Sequence, residues 1–73
     1  MSRQEFESLR IGDQVQYQNG LDVGKVFEVI FIEDYKNVCL RAQDGQSFAR
    51  TASNSLRKDV KLKVSAASSI KKI

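Results

Sequence analysis

The chain has no histidine, no proline and no tryptophan, and only one cysteine among its 73 residues. Without histidine, the commonest general base at neutral pH and the commonest metal ligand are both missing. Ser–His and Cys–His nucleophile pairs cannot form within one chain. Cys39 alone makes no internal disulfide and has no neighbouring ligand set for zinc. No apolar run approaches the roughly 18 residues that span a bilayer, and no charged-then-apolar leader opens the chain. These absences disfavour an enzyme. They predict a cytoplasmic, soluble, single-domain chain with no cofactor, no metal and no membrane partner. At 41% hydrophobic and 29% charged residues, the composition also excludes a fully disordered chain. A domain this small without staples needs an efficiently closed core or association into a homo-oligomer.

Charge is unevenly placed. Residues 1–47 hold five Lys or Arg against eight Asp or Glu, a net of −3; residues 48–73 hold seven against one, a net of +6. Such asymmetry points to a polyanionic partner. Its ordinary counterpart is a set of lysines that keeps a terminal strand soluble and blocks edge-to-edge pairing. Of the acidic residues, only Glu33 and Asp34 are adjacent. They fall in a predicted loop, where exposure outweighs a cation site.

Ser2-Arg3-Gln4-Glu5 has the form of a capping box, and Phe6 and Leu9 follow at helical spacing, so a short helix within residues 1–10 is predicted. Val15 and Tyr17 alternate with glutamines, the pattern of a half-buried strand. Asn19-Gly20 signals a turn. Lys25 to Glu33 is apolar on both parities, which one face cannot hold; a bend or bulge near Phe27-Glu28 is expected. After a polar loop at 34–37, Val38, Leu40 and Ala42 alternate with Cys39, Arg41 and Gln43 in a third strand. Asp44-Gly45 reads as a hairpin turn into a fourth strand, Gln46 to Thr51. Ala52 to Leu56 suits a single helical turn. Asp59 to Val64 alternates again, with Val60, Leu62 and Val64 predicted inward and Lys61 and Lys63 outward. Residues 65–73 read as a flexible basic tail. The sum is an all-β fold: a five-stranded small barrel over residues 11–64, with a short N-terminal helix and a single helical turn before the last strand.

Gly12-Asp13-x-Val15-x-Tyr17, Asn19-Gly20 and Gly24-Lys25-Val26-x-x-Val29 resemble the opening of SH3-like small barrels, in particular the KOW and Tudor-like branch. Asp44-Gly45, Phe48 and Ser55-Leu56-Arg57 are similar to the last hairpin and helical turn of such barrels. The resemblance covers most of Ile11 to Val64, and its motifs mostly describe turns, so it speaks to fold more than to ligand. The loop at Leu21-Asp22-Val23 is shorter and less basic than in ribosomal KOW proteins, which weakens an inference of ribosomal-RNA binding. The Sm-like RNA-binding proteins are a second resemblance, through the N-terminal helix and the Asn-Gly turn, although Gly24 follows one residue too early. Type II dihydrofolate reductase begins similarly, but Gln46-Ser47-Phe48-Ala49 stands where its active-site run would be.

A two-residue hairpin at Asp44-Gly45 would place Arg41 opposite Phe48 and Cys39 opposite Arg50 on the outer face, giving an aromatic platform flanked by arginines for single-stranded nucleic acid. A one-residue shift would instead drop Phe48 into the core, which general burial tendencies favour. Tyr35, beside Lys36, could stack on a base or a peptide, or cap the barrel. Arg57, Lys58, Lys61 and Lys63 form the most credible phosphate-contacting stripe. The expected function is a small non-enzymatic binding module that contacts RNA or single-stranded DNA through its basic C-terminal half. The alternatives are a Tudor- or SH3-type protein-interaction module, reading a peptide with Tyr35, and a structural subunit self-associating through Phe27, Phe31 or an open barrel edge.

Overall fold

The computed structural model describes residues 1–49 and 60–73. A five-residue helix α1 (Arg3–Glu7) is followed by strands β1 (Gln14–Tyr17), β2 (Val26–Asp34), β3 (Asn37–Ala42), β4 (Leu62–Ser65) and β5 (Ile70–Lys72). Single 3-10 turns occupy Gly20–Asp22 and Ala67–Ser69. The strands form one antiparallel sheet in the order β4-β3-β2-β1-β5. The fold is therefore small and all-β, with five strands, a short N-terminal helix and a helical turn before the last strand.

Ser2 caps α1 as the capping-box pattern predicts: its Oγ accepts the Glu5 N–H at 3.2 Å. The helix is too short to stand alone. Half-buried Phe6 and buried Leu9 anchor it and the residues after it to the core.

Phe27 and Val29 of β2 are fully buried, while Phe31 is 53% exposed. The register supplies the reason. Val29 lies opposite Leu40 and Phe31 opposite Cys39, so Ile30 is an extra residue in the strand, and a second irregularity falls between Ile32 and Asp34. The bulge resets the parity, returning Ile32 to the inner face opposite Val38. The irregularity expected from the doubly apolar run exists, at Ile30, two residues beyond Glu28. The following turn is held by Asp34, whose carboxylate accepts the Lys36 N–H at 2.8 Å and the Asn37 side-chain amide at 2.9 Å. The Asn37 bond, then the Lys36 amide, hold this carboxyl below its ordinary pKa. Asp34 is spent on a turn.

The later strands differ from the sequence-based expectation. At the turn after β3, the Gln46 N–H reaches the Gln43 carbonyl at 2.9 Å, and Gly45 has φ +80° whereas Asp44 does not enter positive φ. Those signs belong to a type II turn, which splays its flanks, and not to the type I′ turn that would continue a hairpin. Gln46–Ala49 accordingly leaves β3, and only an isolated bridge from Phe48 to Val60 remains of the expected fourth strand. The rest of that strand, through Thr51, and the helical turn placed at 52–56 lie outside the described residues.

The place beside β3 is taken by residues 62–65, with Leu40 opposite Lys63 and Val38 opposite Ser65. Leu40 and Val38 face the core, so this register puts Lys63 and Ser65 on the inner side and turns Leu62 and Val64 outward, at 58% and 52% exposure. The predicted facing is thus reversed for Leu62, Val64 and Lys63; Val60 is buried as expected.

Residues 65–73, expected as a flexible tail, complete the sheet. β5 pairs with β1, Tyr17 opposite Ile70 and Val15 opposite Lys72. Ala67 and Ile70 are fully buried. The Met1 ammonium donates to the Ala67 carbonyl at 2.7 Å and to the Ile70 carbonyl. Tyr35 donates its hydroxyl to the Met1 carbonyl at 2.5 Å, and its own carbonyl accepts the Ala67 N–H at 2.8 Å. Met1 is therefore tied to the segment Ala67–Ile70, a tertiary arrangement that local composition does not announce. Inward residues come from all five strands, so the sheet curls around its own core.

Candidate interaction surface

Several residues expected to meet nucleic acid have other partners. Phe48 is 2% exposed and stacks on Phe27, with centroids 4.0 Å apart and planes 4° from parallel. It is core, as the shifted-register alternative has it, and offers no outer platform. Tyr35 packs edge-on against Phe6 at 5.3 Å, and the Arg3 guanidinium lies over its ring at 4.5 Å. With its hydroxyl on Met1, the ring caps the fold. Arg41 is exposed but paired with Glu28 at 2.5 Å across β2 and β3. Arg50, Arg57 and Lys58 lie outside the described residues. Phe27, a candidate for self-association, is fully buried.

Lys61 and Lys63 are exposed. The Lys61 ammonium donates to the Gln46 carbonyl at 2.7 Å. Lys63 crosses the mouth of the sheet, its ammonium 5.5 Å from the Phe48 ring centre and 5.9 Å from that of Tyr17. A long lysine can lie over the aromatic core in this way while its head stays wet. Among the described residues neither ammonium has a carboxylate within ion-pair distance. Lys25 joins them at this end, donating to the Ser47 carbonyl at 3.0 Å and pairing with Asp22 at 3.1 Å.

Asp22 is a residue the sequence reading passed over as part of a loop. It is 4% exposed, and its Oδ1 accepts the Ala49 N–H at 2.7 Å. The Gln46 side chain accepts the Val26 N–H at 3.0 Å. Side chains thus tether Gln46–Ala49 where a strand ladder would have done so, and a buried carboxylate finds both a hydrogen bond and a cation. A cleft of about 340 Å³ opens beside it, bounded by Tyr17, Asp22, Lys63 and Ser65. Burial pushes the Tyr17 hydroxyl above its ordinary pKa; a Ser65 hydrogen bond opposes the rise and the Asp22 charge adds to it. A raised pKa means that Tyr17 contributes its full stability below about pH 10, the unfolded value, and loses it as pH climbs through the folded value. Urea midpoints for the wild type and Tyr17→Phe should therefore run parallel from pH 7 to about 10, with the wild type falling faster above that. Parallel curves up to pH 11 would contradict the assignment.

The outer face of β2, β3 and β4 is the most distinctive surface. Cross-strand register aligns Phe31, Cys39 and Val64 in one row, with Leu62 beside Arg41 in a neighbouring row. Phe31, Val64 and Leu62 are all more than half exposed, and Ile30, Cys39, Leu62 and Val64 border a shallow depression of about 310 Å³. Single exposed apolar residues are ordinary; a contiguous row on adjacent strands is less so, and it makes this face the candidate interaction surface. Phe31 was among the sequence-based candidates for association. Leu62 and Val64 were missed because a period-2 pattern defines two faces without saying which one is inside.

Among the described residues no group of three or more His, Cys, Asp or Glu could hold a metal ion, and no helix is long and apolar enough to cross a membrane. No family model, curated protein or solved structure matches this chain.

Proposed function

We propose that the chain is a small, non-enzymatic, cytoplasmic binding module that associates with a protein partner through the outer face of β2, β3 and β4. The observation that carries this reading is the row Phe31–Cys39–Val64 on three adjacent strands, in which Phe31, Val64 and the flanking Leu62 are more than half exposed. The order β4-β3-β2-β1-β5 and the 3-10 turn before the last strand support an SH3-like barrel as the scaffold. A lone, half-buried cysteine suits a reducing compartment.

Nucleic-acid binding is the second reading, favoured by the convergence of Lys25, Lys61 and Lys63 at one end. Arg50, Arg57 and Lys58 add basic residues in the adjoining sequence. Fluorescence anisotropy separates the two. Labelled single-stranded RNA, single-stranded DNA and duplex DNA should show at most weak, salt-sensitive association, with Kd on the order of 10⁻⁴ M at physiological salt, as for non-specific contacts. Submicromolar binding that survives physiological salt and disappears in Lys61→Ala/Lys63→Ala would overturn the protein-partner reading in favour of nucleic acid.

A further inference from the structure

We infer that the free edge of β4 takes an extended peptide strand in which apolar residues alternate with Asp or Glu. This deepens the proposed protein-interaction function and rests on it. β4 is an outermost strand of the sheet, paired on one side by β3. The Ala42 N–H donates to the Lys61 carbonyl at 2.8 Å, so Lys61 faces β3 with its backbone groups. By the alternation of an antiparallel ladder, the backbone groups of Leu62 and Val64 then point away from β3. Just before β4, the Phe48 N–H donates to the Val60 carbonyl at 2.7 Å in an isolated bridge. Beyond Val60, no strand among the described residues continues the pairing.

Side chains decide what can continue it. A strand laid along this edge presents alternate residues to the two faces of the sheet. On the outer face they meet Leu62 and Val64, and beyond them Cys39 and Phe31, which calls for apolar residues. On the other face they meet Lys61 and Lys63. These ammonium groups have no carboxylate partner among the described residues and keep donors to spare beyond the single Lys61 bond to Gln46. Carboxylates are the complement.

Charge also argues against a second copy of this chain on either edge. Antiparallel pairing of β4 with itself brings lysines against lysines. The opposite edge of the sheet, β5, carries Lys71 and Lys72, so a β4-to-β5 contact between copies again opposes like charges.

The test is the affinity of the full chain for three labelled eight-residue peptides: alternating Val and Glu, alternating Val and Lys, and the Val/Glu composition with all valines first. A ten-nucleotide single-stranded RNA is measured alongside. The alternating Val/Glu peptide should bind at least tenfold more tightly than the other two and weaken with salt. Val64→Asp should reduce its binding at least tenfold. Lys61→Glu/Lys63→Glu should reverse the preference toward the Val/Lys peptide, a gain that a merely misfolded variant cannot show. Equal binding of all three peptides, lost in Val64→Asp, would overturn the acidic strand while leaving the interaction face standing. Absence of peptide binding would overturn the inference whatever the RNA does, and saturable RNA binding at physiological salt would overturn the protein-partner reading as well.

Discussion

Phe27→Ala is expected to lower the urea midpoint sharply, by the equivalent of about 3–5 kcal/mol, whereas Phe31→Ala, four residues along the same strand, should be nearly silent. Phe27 is fully buried, stacks on Phe48 at 4.0 Å and meets Tyr17 edge-on at 5.4 Å. Truncating a buried phenylalanine costs about 3–5 kcal/mol, counting both lost transfer energy and the cavity left behind. A domain of 73 residues has a total stability on the order of 4–11 kcal/mol. The loss therefore removes from about a quarter of that stability to all of it, and no disulfide or metal among the described residues stands in reserve. Phe31 is 53% exposed and contributes little burial, so its replacement should cost no more than about 0.5 kcal/mol, the range of ordinary surface changes. Urea denaturation followed by near-ultraviolet circular dichroism reads both. Equal effects at the two positions would mean that the bulge at Ile30 is misplaced and the parity of β2 wrong.

Removing residues 66–73 should abolish cooperative folding, and Ile70→Ala alone should cost about 2–5 kcal/mol as a fully buried aliphatic truncation. The segment supplies more than Ile70. The Gln18 N–H donates to the Ser69 carbonyl at 2.9 Å, the Gln18 side chain to the Ile70 carbonyl at 2.7 Å and the Ile73 N–H to the Gln14 carbonyl at 3.1 Å. Deletion would strip β1 of one neighbour, uncover the core beneath Ala67 and Ile70, and leave the Met1 ammonium without its two carbonyls. Buried groups left without partners add their desolvation cost to the lost packing. A truncated chain that keeps the urea midpoint of the full chain would restore the flexible tail that the composition suggests.

The contrast between these two regions shows what a sequence of this kind discloses. β1, β2 and β3 were legible because each carries an alternating or doubly apolar pattern long enough to define a strand. The excess of apolar residues in Lys25–Glu33 even announced the bulge that splits β2 between the core and the outer face. β5 was not legible, since three residues with one apolar side chain have no periodicity and are held by partners far away in sequence. The facing of β4 was read in reverse because its alternation is symmetric: pairing with Val38 and Leu40 decides the matter, and no local signal at Leu62 or Val64 records it. Asp22 gave no sign in sequence that its carboxylate is buried against the Ala49 amide, because burial and partner both come from the path of Gln46–Ala49 across the sheet. The proposed interaction face combines one residue that sequence nominated, Phe31, with two that only register reveals. Of the basic stripe, Arg57 and Lys58 lie outside the described residues; Lys61 and Lys63 are exposed, and Lys63 reaches across the core aromatics instead of away from them.

The most direct test of the interaction face is a residue-resolved map. Amide chemical shifts of the isotopically labelled full chain would be followed while the alternating Val/Glu peptide is titrated in, with the ten-nucleotide RNA as a parallel titration. The account predicts that the largest shifts fall on Leu62 and Val64, whose amides meet the incoming strand, and on Phe31 and Cys39 behind them. The RNA should shift those four residues little. Peptide-induced shifts confined to β1 and β5, or shifts of Leu62 and Val64 produced by RNA and not by peptide, would contradict it.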